Sequence, residues 1–328
     1  MAPLILALPS KGRLKEQCEA FFAQNGLDLR SQGGERAYSA RFHGFPDIEI
    51  RFCSSSEIAG KLLSGDVHLG VVGEDLLRET SADVDERCFF AQKLGFGQAD
   101  LVVAVSQDWL DVEDMADLDD AAAQYRDRTG VRMRVATKYP RLAREFFSAH
   151  GVETCRFIDS AGATEGAPAA GMAELIVDIT TTGATLAANR LKILRDGVIL
   201  RSQAQLMASL ICAWDSGQKD QARRLLHQLE AHASARNASL VYCDRPVNIT
   251  SQAESKSGAS SSLQDELCRD LQITAHGPHG FIAERAKLPE LLDRLRESGF
   301  GQIAILPLRE LHQPDSAVFA ALEKRLEG

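Results

Sequence analysis

The 328-residue sequence predicts an α/β fold with two lobes, followed by a smaller α+β domain. Between residue 4 and about residue 210, short apolar runs alternate with amphipathic segments, as in a layered fold with a largely parallel sheet. More βα units occur than one small sheet accommodates, so we expect two lobes with a cleft between them. After residue 215 the order becomes a strand, a helical patch, two strands, a helix and a strand, which is typical of a ferredoxin-like unit.

The first two-thirds of the chain supplies the elements of the two lobes. The run "LILAL" predicts a buried strand, and the helix after it places Leu14, Cys18, Phe21 and Phe22 on one face before ending near Gly26. The helix "SEIAGKLLSG" leads into the strand "DVHLGVVG"; "ADLVVAV", "MRVAT" and "AELIVD" predict further strands, and "RLAREFFSAHG" a further helix. We assign residues 1–105 and 190–214 to the first lobe, and residues 106–189 to the second.

Residues 215–328 are predicted to form the third domain. It begins with the polar amphipathic helix "KDQARRLLHQLEAHASARN" and the strand "ASLVYC". The tract "NITSQAESKSGASSS", a serine-rich insert near residues 247–262, is poor in apolar residues and predicts a loop or a disordered segment. The strands "LQITAHG" and "GFIAERA", the helix "KLPELLDRLRESG" and the strand "QIAILPL" complete the domain.

Composition and charge narrow the class of protein. A hydrophobic share of 45% and a charged share of 25% are ordinary for a globular enzyme. The net charge of −9 disfavours nucleic-acid binding as the main task, so an anionic ligand needs a local cluster of donors. No apolar run approaches the roughly 18 residues of a membrane span. The seven cysteines are scattered without CxxC spacing, which favours reduced thiols and a cytoplasmic location.

The stretch "LIVDITTTGATLAAN" contains the most informative turn. A strand ends at Asp178, and the chain enters a helix through a turn rich in hydroxyl groups. Ligands of open α/β sheets bind where strands end and helix N-termini present free N–H groups. The turn predicts a phosphate cradle, with Asp178 placed to contact sugar hydroxyls or a phosphate-bound metal. The alternative is that Thr182 or Thr185 only caps the helix. The predicted cradle consists of Thr181, Thr182, Gly183, Ala184 and Thr185.

A second turn, "LPSKGRL", also connects a strand to a helix. Lys11 and Arg13 flank Gly12 there, and two cations at a helix N-terminus attract a polyanion such as a nucleoside triphosphate. The alternative is that both side chains are merely solvated on the first helical turn. Because cations are mildly unfavourable at that end of a helix, the pattern favours a function.

Four further segments carry candidate residues with weaker signals. In "GVVGEDLL", Gly73 and Glu74 follow a strand and are candidates to line the cleft, while the glycines of "LGFGQADLVVAV" are candidates for a hinge. Plain turn chemistry explains either pattern equally well. In "VATKYPRLAREF", Lys138 and Tyr139 suit a phosphate and a purine, or else the ring packs in the core and the lysine is solvated. Glu165 is the one acid of a glycine-alanine loop, where no structural need for its charge is evident.

Five segments in this order resemble the ATP phosphoribosyltransferase family, which catalyses the first step of histidine biosynthesis. The resemblance implies a transferase that joins N1 of ATP to C1 of phosphoribosyl pyrophosphate and releases pyrophosphate, with Mg²⁺ present. It also implies a catalytic core similar to the two-lobed periplasmic-binding-protein fold. The matching segments are "ALPSKGRL", "DVHLGVVGEDLL", "LGFGQADLVVA", "RVATKYPRLAREFF" and "ATEGAPAAGMAELIVDITTTGATLAAN".

The resemblance also implies roles for the candidate residues. The loop from Asp178 to Leu186 would hold the 5-phosphate and ribose of phosphoribosyl pyrophosphate, with Glu165 across the cleft. The leading catalytic candidates are thus Asp178, Glu165, Lys11 and Arg13. Ser10 departs from the family pattern as an extra residue, and Asp100 stands where many members have arginine. The residues expected to face the nucleotide are Lys11, Gly12, Arg13, Gly73, Glu74, Lys138 and Tyr139.

Residues 215–328 resemble the ACT-like domain of long-form members, which implies L-histidine as a feedback inhibitor and a homo-oligomer. The serine-rich tract departs from the compact start of that domain. Two other functions stay open at this point. One is another enzyme with an ACT-like domain, such as a prephenate dehydratase, and the other is a cytoplasmic small-molecule sensor without chemistry. A prephenate dehydratase does not require the Lys-Gly-Arg turn or the threonine-glycine loop, and both features are present. A sensor is distinguished by the lack of any adduct from ATP, phosphoribosyl pyrophosphate and Mg²⁺.

Overall fold

The structure of the protein is a computed structural model that describes residues 2–31, 39–160, 162–244, 258–277 and 280–327, with side chains from Leu263 onward in the helix that begins at Gly258. The chain divides into two compact units, residues 1–221 with 321–328, and residues 222–320. The first unit contains two mixed sheets, and the second contains one antiparallel sheet.

Both sheets of the first unit are flanked by helices. In chain order the strands are β1 Leu4–Pro9, β2 Leu29–Ser31, β3 Ser39–Phe42, β4 Phe45–Cys53, β5 Leu69–Gly73, β6 Cys88–Lys93, β7 Ala99–Ser106, β8 Met133–Thr137, β9 Cys155–Asp159, β10 Leu175–Thr180, β11 Leu191–Ser202 and β12 Ala204–Ser209. The helices are α1 Gly12–Gln24, α2 Ser55–Ser64, α3 Glu74–Thr80, α4 Val84–Arg87, α5 Met115–Thr129, α6 Pro140–Ala149 and α7 Ala184–Ala188.

The first lobe is built on the sheet β2-β3-β4-β1-β5-β12-β6. Strand β1 lies at its centre, parallel to both β4 and β5, and all of its residues except Ile5 are buried. This burial explains why β1 is a continuous apolar run rather than an alternating one. Helix α2 begins with a reciprocal capping box between Ser54 and Glu57 and ends at Gly65.

The second lobe is built on the sheet β11-β7-β10-β8-β9. Strand β8 is parallel to β9 and β10, whereas β10 is antiparallel to β7. Helix α6 buries Leu142, Ala143 and Phe147, whose spacing matches one face of a helix. The carboxyl ends of β8 and β10 therefore lie side by side. Predicted site residues follow both strands: Lys138 and Tyr139 lie in the turn before α6, and residues 181–186 form the turn into α7 and its first residues.

Two crossings connect the lobes. The chain leaves the first sheet through residues 94–98 and returns through Gln203, and the crossings are joined by bonds from Leu94 N to the Ala204 carbonyl (3.1 Å) and from Ala204 N to the Phe96 carbonyl (3.0 Å). The predicted first lobe, 1–105 with 190–214, includes β7 and β11, whereas these strands pair with each other in the second sheet. A strand's own sequence shows that it is buried but not which sheet it joins.

The second unit is a four-stranded sheet with two helices against it. Its order β13-α9-β14-β15-α10-β16 and its sheet order β14-β15-β13-β16 confirm the predicted ferredoxin-like arrangement. Its core joins both helices to the sheet through Leu267, Leu291 and Phe281. The strands are β13 Ala238–Cys243, β14 Thr274–Ala275, β15 Gly280–Glu284 and β16 Ile303–Pro307, and the C-terminal helices are α8 Ser216–Arg236, α9 Gly258–Leu271, α10 Leu288–Glu297 and α11 Ala317–Glu327.

The prediction of a loop or disordered tract is wrong at its end. Helix α9 begins at Gly258, so the last serines of the tract are helical, while residues 248–257 lie outside the described residues. The predicted strand "LQITAHG" is also shorter, since Leu271 belongs to α9 and β14 contains only Thr274–Ala275. Leu263, Leu267 and Leu271 lie at successive helical turns and pack into the core, and this burial outweighs the low helix propensity of serine.

Candidate functional site

A polar cavity of about 370 Å³ lies at the carboxyl end of β10 in the second lobe. Two carboxylates, Asp178 and Glu165, line it together with the turn that follows the strand. The predicted cradle residues are therefore brought together, with Gly183 as the turn's left-handed residue. The lining residues are Gln98, Ala99, Glu165, Asp178, Ile179, Thr180, Thr181, Thr182, Ala184, Thr185 and Leu186.

The turn is held in shape by its own side chains. Gly183 has φ +74°, a conformation that disfavours any residue with a Cβ, and its N–H donates to Thr180 Oγ1 at 2.9 Å. Thr181 Oγ1 donates to the Gln98 carbonyl at 3.0 Å, which ties the turn to the crossing between the lobes. Within the described residues, Gly183 is the N-cap of α7 and no side chain caps the helix. Of the two caps considered, Thr185 lies inside the helix, and Thr182 Oγ1 makes only a 3.4 Å contact with Ala184 N.

The start of α7 leaves donors available to a ligand. The first N–H groups of a helix have no partner within the helix, and those of α7 belong to Ala184, Thr185 and Leu186. Ala184 N makes only a long 3.4 Å contact with Thr182 Oγ1. Thr181, Thr182 and Thr185 are exposed, so hydroxyl and N–H donors surround one volume. This arrangement suits an anion with several oxygens.

The charge of Glu165 acts on Asp178, the other carboxylate of the cavity. Asp178 is half-buried; burial raises its pKa, and the nearby charge of Glu165 adds to that rise. The N–H of Ile179 donates to Asp178 Oδ1 at 2.9 Å, and Lys138 supplies a positive charge, and both act in the opposite direction. The net effect is a pKa above the ordinary range for aspartate, which is characteristic of functional sites.

The Lys-Gly-Arg turn lies at the end of β1 in the first lobe. Lys11 is the N-cap of α1 and Gly12 has φ +73°; Lys11 and Arg13 are exposed. In the described chain, none of the three is among the residues that line the cavity at β10. The turn therefore presents two cations to solvent at the carboxyl edge of the first sheet, separate from the carboxylates of the second lobe.

Gly73 and Glu74 lie where β5 meets α3. Glu74 is engaged within the protein, since its carboxylate accepts from Arg78 Nε at 2.8 Å and from Gln205 Nε2 at 2.6 Å. A Cβ at Gly73 would stand 2.3 Å from Asp75 Oδ1, so the glycine makes room for that buried carboxylate. The described contacts of Gly73 and Glu74 are thus made to other protein residues near the start of α3, where they stabilise the fold.

Lys138 and Tyr139 follow β8, and their side chains adopt the alternative given above, in which the ring packs in the core and the lysine is solvated. The Tyr139 ring is 8% exposed and packs in the second-lobe core, while Lys138 is exposed. The Tyr139 hydroxyl donates to Asp75 Oδ2 at 2.8 Å. Pro140 begins α6 as predicted. The ring is therefore not presented to a purine, whereas the Lys138 ammonium lies near enough to lower the pKa of Asp178.

Three polar residues where the two lobes meet were not predicted from the sequence. Asp75 and Ser202 are buried and bonded to each other, and Gln98 holds the threonine turn. Asp75 carried a usable signal, because it is an acid two residues after the end of the buried strand β5. Ser202 and Gln98 carried none, since single polar residues at strand ends are common on any surface.

The fold and cavity define a two-lobed α/β protein of the enzyme type, with a polar cavity at the end of a strand and a ferredoxin-like domain. A family model described as ATP phosphoribosyltransferase matches residues 54–231. The chain is 46% identical over 327 residues to an ATP phosphoribosyltransferase of Bradyrhizobium diazoefficiens, covering 98% of both chains. It is 57% identical over 241 residues to one of Caulobacter vibrioides, covering 73% of this chain and 75% of the relative.

A solved structure supports the fold. It is described as an "ATP phosphoribosyl transferase (HisG:HisZ) complex from Thermotoga maritima" and superposes with a TM-score of 0.52 at 23% identity, covering 69% of this chain and 96% of that chain. The chain belongs to the ATP phosphoribosyltransferase family. Its function is the first step of histidine biosynthesis, the transfer of a phosphoribosyl group to ATP, so the sensor and prephenate dehydratase alternatives are set aside. Among the described helices, none has the length and apolarity that crossing a membrane requires.

Proposed function

We propose that the cavity at β10 binds phosphoribosyl pyrophosphate. One observation carries the proposal: a left-handed glycine turn, exposed threonine hydroxyls and two carboxylates line the same 370 Å³ volume. The donors of Thr181, Thr182 and Thr185, with the N–H groups at the start of α7, suit the 5-phosphate. Asp178 suits the ribose hydroxyls, because an ionised carboxylate accepts hydrogen bonds from both members of a vicinal diol.

We propose that the nucleotide binds on the first-lobe side of the cleft. Lys11 and Arg13 are exposed cations at the start of α1, and Gly12 leaves its own side open, since a Cβ there would have no described neighbour within 4 Å beyond the adjacent residues. Their charge suits the triphosphate of ATP. Lys138, from the second lobe, suits an oxygen of either substrate. Glu74 and Tyr139 support this site by stabilising the surrounding fold and do not contact the nucleotide, since their polar atoms are bonded to Gln205 and Asp75.

The residues present fit Mg²⁺ at the β10 cavity. Mg²⁺ is usually held by one or two carboxylates together with substrate phosphates, and Asp178 and Glu165 supply two. Burial and the nearby charge of Glu165 both raise the pKa of Asp178, and a bound cation would offset both effects. Within the described residues, no group of three His, Cys, Asp or Glu side chains could hold a metal ion by itself, so substrate oxygens would complete its coordination. When bound, the ion supplies charge neutralisation for the pyrophosphate leaving group.

The chemistry needs alignment more than proton transfer. N1 of adenine is unprotonated at neutral pH and attacks C1 of the ribose directly, so no strong base is required. The protein's contribution is to hold the phosphoribosyl group by its 5-phosphate and hydroxyls, and to place cations where negative charge develops. In this scheme the threonine turn orients the sugar, while Lys138 and Arg13 stabilise the departing charge.

Two substitutions test the phosphoribosyl site. We expect Asp178→Ala and Thr185→Ala each to lower kcat/KM by at least about tenfold, which corresponds to about 1.4 kcal/mol. The assay follows absorbance of the adduct formed from ATP, phosphoribosyl pyrophosphate and Mg²⁺. Asp120→Ala and Thr129→Ala are matched controls in the same lobe but outside the cavity lining. Near-normal turnover in both cavity variants would remove the proposal.

We further propose that the C-terminal domain mediates a homo-oligomer and binds L-histidine. Support comes from its sheet, where Tyr242 (50% exposed) and Leu306 (48% exposed) lie on one face with Leu240. Sedimentation of wild type and of the Tyr242→Asp/Leu306→Asp variant tests the oligomer, with Leu110→Asp on the second lobe as control. A wild-type monomer contradicts it.

Titration calorimetry of L-histidine, with and without phosphoribosyl pyrophosphate, tests the regulation. If the inhibitor and substrate favour different arrangements of the lobes, each weakens the binding of the other by the same factor. Absence of any histidine binding to the full-length protein contradicts this part alone, and it leaves the catalytic proposal untouched.

A further inference from the structure

Helix α6 lacks the usual means of capping its own N-terminus. Its N-cap is Tyr139, followed by Pro140, and within the described residues no side chain of the helix's own start caps it. Its first turn contains no acidic residue. The N–H groups of Arg141 and Leu142 at this end therefore need acceptors from elsewhere in the protein.

The first lobe supplies those acceptors. The Glu79 carboxylate, from α3, accepts from Arg141 N at 2.9 Å and from Leu142 N at 3.0 Å. The Arg141 guanidinium returns a bond from Nε to the Glu79 carbonyl at 3.3 Å. A negative charge at a helix N-terminus is also favoured by the helix dipole. A helix of one lobe is thus capped by a carboxylate of the other.

A second contact between the lobes lies one turn earlier on α3. The Tyr139 hydroxyl donates to Asp75 Oδ2 at 2.8 Å, and Ser202 Oγ donates to Asp75 Oδ1 at 2.6 Å. Asp75, Tyr139 and Ser202 are 6%, 8% and 4% exposed. Burial raises the pKa of Tyr139, and the charge of Asp75 raises it further, so the hydroxyl stays a donor at every physiological pH.

These contacts surround the segment that carries Lys138. Thr137 Oγ1 accepts from Tyr139 N at 2.9 Å, so the turn after β8 is fixed on both sides of the lysine. The lysine's charge acts on Asp178, and the charge of Asp178 acts in turn on Tyr139. The position of Lys138 beside the cavity therefore depends on bonds that α3 makes from the other lobe.

We infer that Asp75 and Glu79 are positioning residues, which together lock the two lobes in the arrangement that places Lys138 near Asp178. The lock acts through Tyr139 and the start of α6, and neither acid needs to touch a substrate. When these bonds are broken, that arrangement of the lobes is a smaller fraction of the population. Both substrates then bind more weakly by one common factor, because each apparent Kd is divided by the same competent fraction.

The test compares two Tyr→Phe substitutions that each remove one hydroxyl bonded to a carboxylate. Tyr139→Phe removes the bond between the lobes, whereas Tyr125→Phe removes a 3.1 Å bond to Glu174 within the second lobe. For Tyr139→Phe we expect the KM values of ATP and phosphoribosyl pyrophosphate to rise together, by about fivefold, with a smaller change in kcat. Tyr125→Phe is expected to leave both KM values unchanged.

A series at Glu79 provides the second arm. Glu79→Ala is expected to raise both KM values by a similar factor, and Glu79→Gln by less, since the amide keeps one acceptor for the helix N-terminus. A merely destabilising effect lowers the active fraction, and so reduces apparent kcat while leaving KM unchanged. A lower kcat with unchanged KM values in the Tyr139 and Glu79 variants overturns the lock. So does a rise of both KM values in Tyr125→Phe as large as that in Tyr139→Phe.

The inference rests on the proposed site only through Lys138, and the two fail differently. If Asp178→Ala and Thr185→Ala are active while Tyr139→Phe raises both KM values, the cavity proposal fails and the lock stands. If the cavity variants are impaired while the KM values of Tyr139→Phe equal those of wild type, the lock fails and the cavity proposal stands.

Discussion

The side-chain oxygen of Thr180 lies 2.9 Å from the backbone nitrogen of Gly183 and accepts its hydrogen bond. This bond fixes the left-handed glycine between the last residue of β10 and the first residue of α7. It removes one donor from the cradle, but it holds the neighbouring N–H groups and hydroxyls in register. Thr180 therefore acts on the cavity through the shape of the turn.

Thr180→Val keeps the volume and β-branching of the side chain and removes the acceptor. We expect the KM of phosphoribosyl pyrophosphate to rise by about fivefold, because the lost bond contributes about 1 kcal/mol to the bound form of the turn. Thr180→Ser keeps the hydroxyl and is expected to stay within about twofold of wild type. Equal KM values for the valine and serine variants contradict this role.

The two crossing glycines differ in what surrounds them. Gly95 and Gly97 have φ +77° and +62°, but a Cβ at Gly97 would meet Leu14 Cδ1 at 3.0 Å and Ala204 Cβ at 3.2 Å, whereas one at Gly95 has open space. Each Gly→Ala change costs about 1 kcal/mol for the left-handed backbone. We expect Gly97→Ala to be more destabilising than Gly95→Ala by about 1 kcal/mol or more, because it also crowds the crossing. Urea unfolding of both variants measures the difference, and equal values contradict it.

The ion pair of Glu174 and Arg134 joins the start of β10 to β8. Glu174 accepts from Arg134 Nη2 at 2.6 Å and from Arg134 N at 2.6 Å, and its side chain is 13% exposed. We expect Glu174→Gln to lower the free energy of unfolding by about 2 kcal/mol. Asp108→Asn is the control, since Asp108 pairs with Arg190 where both side chains are mostly exposed, and about 0.5 kcal/mol or less is expected. Similar losses in the two variants contradict the expectation.

His68 predicts a dependence of stability on pH. The His68 ring is 4% exposed, its Nδ1 accepts from Ile5 N at 3.1 Å, and it makes a T-shaped contact with the Trp214 ring. Burial lowers the pKa of His68 below its ordinary value of 6.5, against smaller opposing effects of Gln218, Ala213 and Asp215. The folded state therefore binds the proton more weakly than the unfolded state.

This difference in proton affinity fixes the direction in which stability changes with pH. The neutral ring's contribution is fully present above about pH 6.5 and is lost as the pH falls from there towards the lower pKa of the folded state. His68→Asn keeps an acceptor but does not titrate. On going from pH 7.5 to pH 5.5, we expect wild type to lose more unfolding free energy than His68→Asn does, by up to about 1 kcal/mol. A difference that is constant over this range contradicts the assignment.

Several features of the protein follow from the sequence alone. The apolar periodicity of α6, with Leu142, Ala143 and Phe147 on one face, predicts the helix, and Pro140 predicts where it begins. The β-α-β-β-α-β order of the C-terminal domain was also predictable, because strands and helices differ in local period. The threonine-glycine turn could be identified as a candidate site, since its residue types are those that a phosphate cradle requires.

Other features depend on contacts between segments that are distant in the chain. Strands β7 and β11 pair in the second sheet, and helix α9 packs into a core through Leu267 and Leu271. Tyr139 looks equally suited to a purine or a core until Asp75, 64 residues earlier, is placed against its hydroxyl. Local sequence determines which backbone conformations and which exposed or buried faces a segment prefers. Which partner it meets is decided only by the tertiary structure, because burial and hydrogen bonding are shared among segments that no local pattern connects.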